Sequence, residues 1–287
     1  MKCTIAQKIL LQKLKMLLIK INYKIPVLKG RKGYMLINVS LVFCIFFALL
    51  GKSIASSPTA LLDSANNAYS KGNFDKCIKY NEGILSLGYE SPEVYFNLGN
   101  AYYKVDKIGM AVLNYERAKK LSPADEDINF NLKLANQRTL DKIEPAPKLF
   151  LEEWWDNLKS MRSEKTWGIR SICCFIVFLF FLGVFLTSVR TVSKQFGFWL
   201  AIVCFILSAV SFTISRSRHN DIVNKNSAVI LSSSAEIKNA PAESGTKLFI
   251  LHEGTKVSAP ETNGEWVKVE LSSDKVGWVK KSSIEFI

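Results

Sequence analysis

Residues 92–125 read PEVYFNLGNAYYKVDKIGMAVLNYERAKKLSPAD and mix aromatic, small and amide residues at helical spacing. Residues 58–91, PTALLDSANNAYSKGNFDKCIKYNEGILSLGYES, align with them at an offset of 34. Repetition at this period predicts one helical hairpin per segment, stacked so that neighbouring units bury a continuous core. A partial third unit, EDINFNLKLANQRTLDKIE, begins one period later. It is expected to supply a closing helix, because two units alone would expose an apolar end.

The second segment resembles the tetratricopeptide repeat. Gly99 is small enough to let two antiparallel helices approach, while Tyr95 and Tyr102 fill the space between them. Pro123 ends the second helix. The first segment departs from the pattern at three positions, which hold Ala65, Cys77 and Asn81. The resemblance implies an all-α tetratricopeptide repeat domain over residues 56–143.

Three pairs of side chains recur at the same period on the predicted inner helices. The pairs are Asn66 with Asn100, Asn97 with Asn131, and Tyr69 with Tyr103. Amide groups both donate and accept hydrogen bonds, so this row predicts a groove that clamps the backbone of an extended peptide. Lys104 is expected to add a charged contact. The alternative is that these residues are solvated side chains on an exposed helix face.

Two later stretches are long and apolar enough to cross a bilayer. Residues 171–189 and 196–214 contain 19 residues each without a charge, and a helix of this length spans about 28 Å. Only RTVSKQ separates them, so we expect an antiparallel transmembrane hairpin over residues 169–215 whose two flanks share one side of the membrane. A buried pair of core helices is the alternative, which the apolar character of both stretches on every side disfavours.

The first 55 residues have the composition of an export signal. The apolar run LINVSLVFCIFFALL follows basic residues and precedes Ser53 and Ala55, which suit cleavage after Ala55. The run is short for a membrane-spanning helix. We therefore predict a basic leader and signal peptide over residues 1–55, with an uncleaved anchor as the alternative.

The orientation of the hairpin depends on this leader. Export of the chain after Ala55 leaves the short loop with Arg190 and Lys194 in the cytoplasm, as the positive-inside rule requires. The outer flanks carry seven basic residues, which by the same rule alone would invert the orientation. We give precedence to the leader, because the first apolar segment usually sets orientation. Both soluble modules are then expected outside the cytoplasm.

Charge and rare residue types argue against several classes of function. The chain has a formal charge of +13, but residues 1–55 hold ten of its 38 Lys and Arg and no acid, which leaves about +3 for the rest. So small an excess of positive charge does not indicate a basic surface for binding nucleic acid. His219 and His252 lie apart and predict no metal site, and the six cysteines predict no disulfide framework. Because no nucleophile has a base and no phosphate loop is present, we expect no catalytic residue and no cofactor.

Residues 144–168 are expected to form a linker and an interfacial helix. Trp154, Trp155 and Trp167 precede the first apolar stretch, and indole rings favour the boundary between water and lipid. Packing of this segment against the repeats is the alternative.

Residues 226–287 change to short β-prone runs separated by turns. The runs are AVIL, TKLFIL, TKVSAP, EWVKVEL and VGWVKK, with turns at Glu253–Gly254 and Asn263–Gly264. The order LHEGTKV, GEWVKVEL, VGWVKK resembles bacterial SH3-like domains, in which Trp266 and Trp278 occupy typical positions. Such small all-β barrels bind cell-wall peptides or proteins through shallow aromatic surfaces, although a strand tryptophan is more often a packing residue.

The order of these parts resembles the BatE family of the Bacteroides aerotolerance operon. The resemblance rests on NLGNAYYK, on NYERAKKLSPADEDINFNLKLANQRTLDKIEP, on the paired tryptophans and on LHEGTKV, GEWVKV and GWV. It implies a bacterial inner-membrane protein whose partners are sibling Bat proteins, several with von Willebrand A domains, and indirectly a MoxR-type ATPase. It implies no catalytic residue, because the family offers none.

The predicted function is that of a membrane-anchored, periplasm-facing scaffold in a Bat-type aerotolerance or envelope-stress complex. Partner proteins would bind through the repeats and the SH3-like domain. One alternative is an envelope protein that binds peptidoglycan, and another is the targeting subunit of a cell-wall enzyme. The lipid bilayer is a partner in the main prediction, and nucleic acid is a partner in none of them.

Overall fold

A computed structural model describes residues 58–142, 149–224, 226–272 and 275–287. The predicted leader over residues 1–55 lies outside this part of the chain, as do residues 143–148, where the predicted linker begins. The described residues contain eight α-helices and one seven-stranded antiparallel sheet. A helical domain, two long apolar helices and a β domain therefore follow one another along the chain in the predicted order.

The first five helices form two hairpins and a closing helix. In chain order they are α1 (Thr59–Ser70), α2 (Phe74–Ser86), α3 (Pro92–Lys104), α4 (Ile108–Leu121) and α5 (Glu126–Gln137). We call this segment the repeat array. Helix α1 packs on α2 and α3 on α4, and each helix also packs on the next along the chain. The inner helices α1, α3 and α5 lie side by side.

The hairpin turns and helix starts follow from local chemistry. Gly72 in the first turn has a φ of 72°, and Asp106, one period later, has a φ of 65°. Aspartate tolerates this left-handed conformation because its short side chain can hydrogen-bond locally, so the second turn forms without glycine. The side chains of Ser91 and Asp125 accept hydrogen bonds from main-chain amides of the following turn and thereby start α3 and α5.

One apolar cluster holds the repeat array together. Its buried members include the small and aromatic residues that the repeat pattern singles out, namely Ala65, Tyr95, Leu98, Tyr102, Ala111, Tyr115 and Ala118. Gly99 permits a close approach of α3 to α4, because a Cβ atom at this position would lie 2.6 Å from the ring of Tyr115. This contact explains why a residue without a side chain occupies position 99.

The next helices include two that are long and apolar enough to cross a membrane. They are α7 (Glu164–Thr187) and α8 (Thr191–Val223), the two such helices in the described part of the chain. Within the most apolar 18 residues, 6% of α7 and 28% of α8 is buried. Exposure of this extent does not fit the alternative of a buried core pair in a soluble protein.

Small residues line the seam between α7 and α8. The hydroxyls of Ser171 and Ser208 each donate to the other residue's main-chain carbonyl, at 3.0 and 2.9 Å. Gly197 packs directly against the backbone of α7. Small side chains of this kind let apolar helices approach closely. Near the other end, the Ser215 hydroxyl donates to the carbonyl of Glu164 at 3.3 Å, so the start of α7 lies beside the end of α8.

The tryptophan-rich segment is divided between two helices. Helix α6 (Phe150–Ser160) contains Trp154 and Trp155, and its Phe150, Leu151 and Trp154 side chains are exposed. Trp167 lies instead near the start of α7, where it is 8% exposed. The segment expected to form a linker and interfacial helix over residues 144–168 is therefore divided between α6 and the start of α7, because α7 begins before the uncharged stretch does.

Helix α8 continues beyond its uncharged stretch and packs on the repeat array. The guanidinium of Arg218 donates from Nη2 to the carbonyl of Lys120 in α4 at 2.8 Å. The ammonium of Lys159 in α6 donates to Asp221 at 3.3 Å. These contacts join the polar end of the apolar hairpin to α4 and α6.

Within residues 226–287, which we call the β-module, the described residues form a single sheet. The strands are β1 (Ser227–Ile230), β2 (Ser234–Lys238), β3 (Lys247–His252), β4 (Lys256–Asn263), β5 (Trp266–Ser272), β6 (Lys275–Lys280) and β7 (Ile284–Phe286). They lie in the order β3-β2-β6-β5-β4-β1-β7, and all seven contribute to one buried cluster. A single sheet encloses one core in this way by curling on itself. The strands β2 and β7 were not predicted from the sequence.

Candidate functional site

The four predicted groove asparagines form two hydrogen-bonded pairs across the inner helices. Asn97 donates from Nδ2 to Asn66 Oδ1 at 3.0 Å, which links α3 to α1. Asn131 donates from Nδ2 to Asn100 Oδ1 at 3.1 Å, which links α5 to α3. The partners are 31 residues apart, about one helical turn less than the repeat period. Each pair leaves the amino group of one asparagine and the carbonyl oxygen of the other to bond a ligand.

Asn100 also supports the core of the repeat array. The hydroxyl of Tyr115, which is 2% exposed, donates to the same Oδ1 of Asn100 at 2.7 Å. Burial raises the pKa of Tyr115, so its hydroxyl stays protonated and remains a donor. Substitution of Asn100 therefore affects folding as well as the groove.

The remaining predicted groove residues lie toward the ends of α1 and α3. Tyr69 is half-buried and meets the ring of Phe74 edge-on, with ring centroids 5.3 Å apart. Tyr103 lies under the guanidinium of Arg138, which is 5.1 Å from the ring centroid. Lys104 is exposed on the last turn of α3. Arg138 thus places a second cationic group at the same end of the inner helices.

Two features of these helices were not predicted. An apolar row follows the same period and consists of Leu62, Phe96 and Phe130, of which Phe130 is 66% exposed. The 34-residue spacing could have revealed this row. The second feature is the ion pair between Arg138 and the left-handed Asp106, which no local pattern indicates because the two residues belong to different repeats.

The two predicted tryptophans of the β-module differ in exposure. Trp266 is 9% exposed, and the ammonium groups of Lys238 and Lys280 lie 5.3 and 5.9 Å from its ring centroid. Glu243 forms ion pairs with both lysines. Trp278, on the neighbouring strand, is half-buried. Trp266 is therefore a packing residue, and Trp278 is the one of this pair that offers ring surface to a ligand.

The LHEGT segment, residues 251–255, attaches the β-module to the repeat array. The carboxylate of Asp141 accepts hydrogen bonds from the His252 main-chain N–H at 2.7 Å, from His252 Nδ1 at 2.9 Å and from the Thr255 hydroxyl at 2.7 Å. Burial by itself raises the pKa of Asp141, but these hydrogen bonds outweigh burial and hold the pKa below its ordinary value. The carboxylate is therefore ionised when the β-module is attached.

The same segment meets the start of α4. Gly254 has a φ of 85°, and a Cβ atom there would lie 2.6 Å from Cγ2 of Thr139, so both conformation and space require glycine. Glu253 Oε1 accepts a hydrogen bond from the amide of Gly109 at 2.9 Å. A carboxylate at this position also interacts favourably with the dipole of α4.

Ion pairs and apolar contacts extend this attachment along α4. Glu116 pairs with Lys256 at 2.7 Å, and Arg117 pairs with Glu285 at 2.8 Å. Val229 of β1 is buried in the apolar cluster of the repeat array. We call this interface, formed by α4 and residues 138–142 with the β-module, the junction. It holds the predicted groove and Trp278 in a defined spatial relationship.

The described residues of these sites offer hydrogen bonds, ion pairs and apolar contacts. Among the described residues, no group of three or more His, Cys, Asp or Glu side chains is arranged to hold a metal. Burial raises the pKa of the Cys77 thiol, which disfavours the nucleophilic thiolate. No protein-family model matches the chain, and no curated protein is similar to it in sequence.

Proposed function

We propose that this chain is a membrane-anchored scaffold that binds partner proteins through tetratricopeptide repeats and an SH3-like domain. The paired asparagines of α1, α3 and α5 carry this proposal, because they present unused amide donors and acceptors in a row. A peptide backbone has the matching groups at regular spacing. The apolar row that ends at Phe130 adds a surface on which apolar side chains of the same peptide can pack.

The pairing of α7 with α8 supports a common aqueous side for both folded modules. Glu164 at the start of α7 contacts Ser215 and His219 near the end of α8. The repeat array precedes α7, and β1 begins shortly after α8. Two antiparallel helices that cross a bilayer return the chain to the surface from which it entered, and we propose that this surface is the periplasmic face of a bacterial inner membrane.

The junction supports a scaffold in preference to two independent modules on a tether. Its hydrogen bonds and ion pairs fix the β-module against α4 and the end of α5. A partner that contacts both the groove and Trp278 would therefore pay little conformational entropy for arranging them. On the resemblance to BatE, we propose that the partners are sibling Bat proteins with von Willebrand A domains, in an aerotolerance or envelope-stress complex that involves a MoxR-type ATPase indirectly.

Affinity capture of the full-length chain in mild detergent, followed by mass spectrometry, tests this function. The wild-type chain is expected to retain von Willebrand A proteins, and alanine at three groove positions should reduce their recovery at least tenfold. The substituted residues are Asn66, Asn97 and Asn131, since Asn100 supports Tyr115 and is left intact. A matched control carries alanine at three exposed asparagines outside the row, namely Asn67, Asn136 and Asn157.

Three outcomes would contradict the proposal. Equal recovery by the groove variant and the control would rule out the groove as the binding site. Release of the full-length chain from membranes by carbonate washing would rule out a membrane anchor. Retention on purified peptidoglycan that is lost in Trp278→Ala, without capture of any protein, would favour the alternative of a cell-wall-binding protein.

A further inference from the structure

A cavity of about 490 Å³ lies where α4, α6, the polar end of α8 and the β-module meet. Five cationic side chains line it, from four different elements: Lys119, Lys120, Lys159, Arg218 and Lys256. Three carboxylates also line it, those of Glu116, Asp156 and Asp221. These side chains have a formal excess of two positive charges, which the terminal carboxylate of Ile287 in the same wall reduces to one. None of them belongs to the predicted groove or to the aromatic surface of the β-module.

The carboxylates of the cavity are engaged by part of the cationic wall. Glu116 pairs with Lys256 at 2.7 Å. Asp156 and Asp221 lie 3.0 and 3.3 Å from the ammonium of Lys159. Lys256 and Lys159 therefore have carboxylate partners, and the excess charge belongs to the other three cationic residues. Of these three, Lys120 contacts the terminal carboxylate of Ile287 and Arg218 lies 4.0 Å from Asp221.

Helix ends explain two of those three cations. Helices α4, α6 and α8 all end at the cavity, and cations favour the carbonyl groups at helix C-termini. Lys120 donates to the carbonyl of Asn224, the C-cap of α8, at 3.2 Å and to the terminal carboxylate of Ile287 at 2.9 Å, and Arg218 donates to the carbonyl of Lys120. Lys119 has no hydrogen-bond or ion-pair partner within the described ranges. Lys119 lies in the last turn of α4, where its positive charge is favourable, but its ammonium remains available to bond a ligand.

Arg218 adds a buried charge that the wall compensates weakly. The residue is 9% exposed, its Nη1 lies 4.0 Å from Asp221, and its Nε has no acceptor in the part of the chain that the structure describes. A buried guanidinium with an unused donor is unfavourable unless further negative charge approaches it. An anion in the cavity would supply that charge.

The position of the cavity along α8 matches the depth expected for lipid headgroups. Arg218 lies four residues beyond residue 214, where the uncharged stretch ends, or about 6 Å along a helix axis. On the α6 side, Phe150 and Trp154 are exposed apolar side chains of the kind found at membrane surfaces. If α7 and α8 cross the bilayer as proposed above, the cavity lies at the depth of the phosphate groups.

We propose that this cavity binds a phosphate group, either that of an anionic phospholipid or free phosphate, with Lys119 and Arg218 as its main cationic contacts. Basic cavities beside membrane helices suit this chemistry, because several ammonium and guanidinium donors can surround one phosphate. The lipid source rests on the proposed membrane anchor, whereas the phosphate chemistry does not.

The test uses the full-length chain with two probes. In native mass spectrometry from detergent, phosphatidylglycerol is compared with phosphatidylcholine as a retained lipid. In calorimetry, inorganic phosphate is titrated into the same detergent sample. The variant Lys119→Glu reverses the charge of an unpartnered cavity lysine, and Lys79→Glu makes the same change at an exposed lysine of α2. Circular dichroism verifies that both variants retain wild-type helicity.

Selective retention of phosphatidylglycerol, weakened about tenfold or more by Lys119→Glu and unchanged by Lys79→Glu, is the expected result. Binding of inorganic phosphate with the same sensitivity, but without lipid selectivity, would support the cavity and assign the free ion as its ligand. Failure of both probes to bind, or equal effects of the two variants, would overturn the inference. Carbonate washing reports separately on the membrane anchor, so the two proposals can fail independently.

Discussion

The carboxylate of Asp141 accepts hydrogen bonds from the main-chain N–H and the ring of His252, 111 residues further along the chain, at 2.7 and 2.9 Å. Asp141 follows the last helix of the repeat array, and His252 ends β3. The whole apolar hairpin lies between them in the sequence. Their contact therefore fixes the β-module on the repeat array.

Substitution Asp141→Ala is expected to loosen the junction. It leaves the donors of His252 and Thr255 without their common acceptor, at a cost of about 2 kcal/mol in the free energy of unfolding. Hydrogen exchange followed by mass spectrometry should show faster exchange of the amides of residues 251–255. Asp75→Ala, at an exposed position in the first turn of α2, serves as the control and should leave these amides protected. Unchanged exchange in Asp141→Ala would show that the other junction contacts suffice.

The contribution of Asp141 should depend on pH. Its pKa is lowered in the folded chain, so its stabilisation is complete above the unfolded value of about 3.9 and is lost as pH falls through the lower folded value. The difference in unfolding free energy between the wild-type chain and Asp141→Asn should therefore shrink as the pH falls below about pH 4. Chemical denaturation at several pH values measures it. A difference that grows as the pH falls below about pH 4 would reverse the assigned sign.

Two glycine-to-alanine substitutions should have opposite effects. In Gly99→Ala the new methyl group would meet the Tyr115 ring at 2.6 Å, and the overpacking should destabilise the chain by about 1–3 kcal/mol. In Gly83→Ala no atom lies within 4 Å of the new methyl group. That change should stabilise α2 by about 0.5–1 kcal/mol. Thermal unfolding monitored by circular dichroism compares them, and a destabilised Gly83→Ala would contradict the packing described for α2.

The hydrogen bond between Asn100 and Tyr115 predicts a further asymmetry. Tyr115→Phe leaves Asn100 bonded to Asn131 and should cost about 0.5–1.5 kcal/mol. Asn100→Ala should cost more, about 1–3 kcal/mol, because it leaves the buried Tyr115 hydroxyl unpaired. Urea denaturation of both variants and of the double variant measures the coupling. Additive losses would show that the two side chains act independently.

Substitution of the two tryptophans of the β-module should destabilise it to different extents. Trp266→Ala removes a buried ring and should destabilise the β-module by about 3–5 kcal/mol. Trp278→Ala truncates a half-buried ring and should cost less than half as much. Hydrogen exchange within residues 226–287 gives both values. Similar losses for the two variants would identify Trp278 as a second packing residue.

The helices of the repeat array and the long apolar helices follow from local periodicity. Small and aromatic residues at helical spacing, repeated after 34 positions, predicted the hairpins and most of their core. Charge-free length predicted α7 and α8, although α8 continues to Val223 because its polar extension packs on α4 and α6. The strand β2 was missed because SAEIK has only two apolar positions, and β7 because it is only three residues long.

The candidate groove was predictable in its residues but not in its geometry. Repeat spacing placed the asparagines on equivalent helix turns, yet Asn66 bonds Asn97 instead of its repeat equivalent, Asn100. The offset between neighbouring helices depends on how their side chains interlock, which the period does not specify. Burial likewise distinguishes Trp266 from Trp278, although both lie in strands that contain apolar residues at alternating positions.

The sequence by itself determined the repeat period, the two apolar helices and most of the strands, because each depends on side-chain patterns within a few turns of one element. Only the tertiary structure decided that Asp141 meets His252, that Arg218 meets Lys120, and that both contacts border on α4. Such contacts join residues about a hundred positions apart and depend on the complementary shape and charge of folded surfaces. Those surfaces exist only after the elements have packed, so no local pattern encodes their partners.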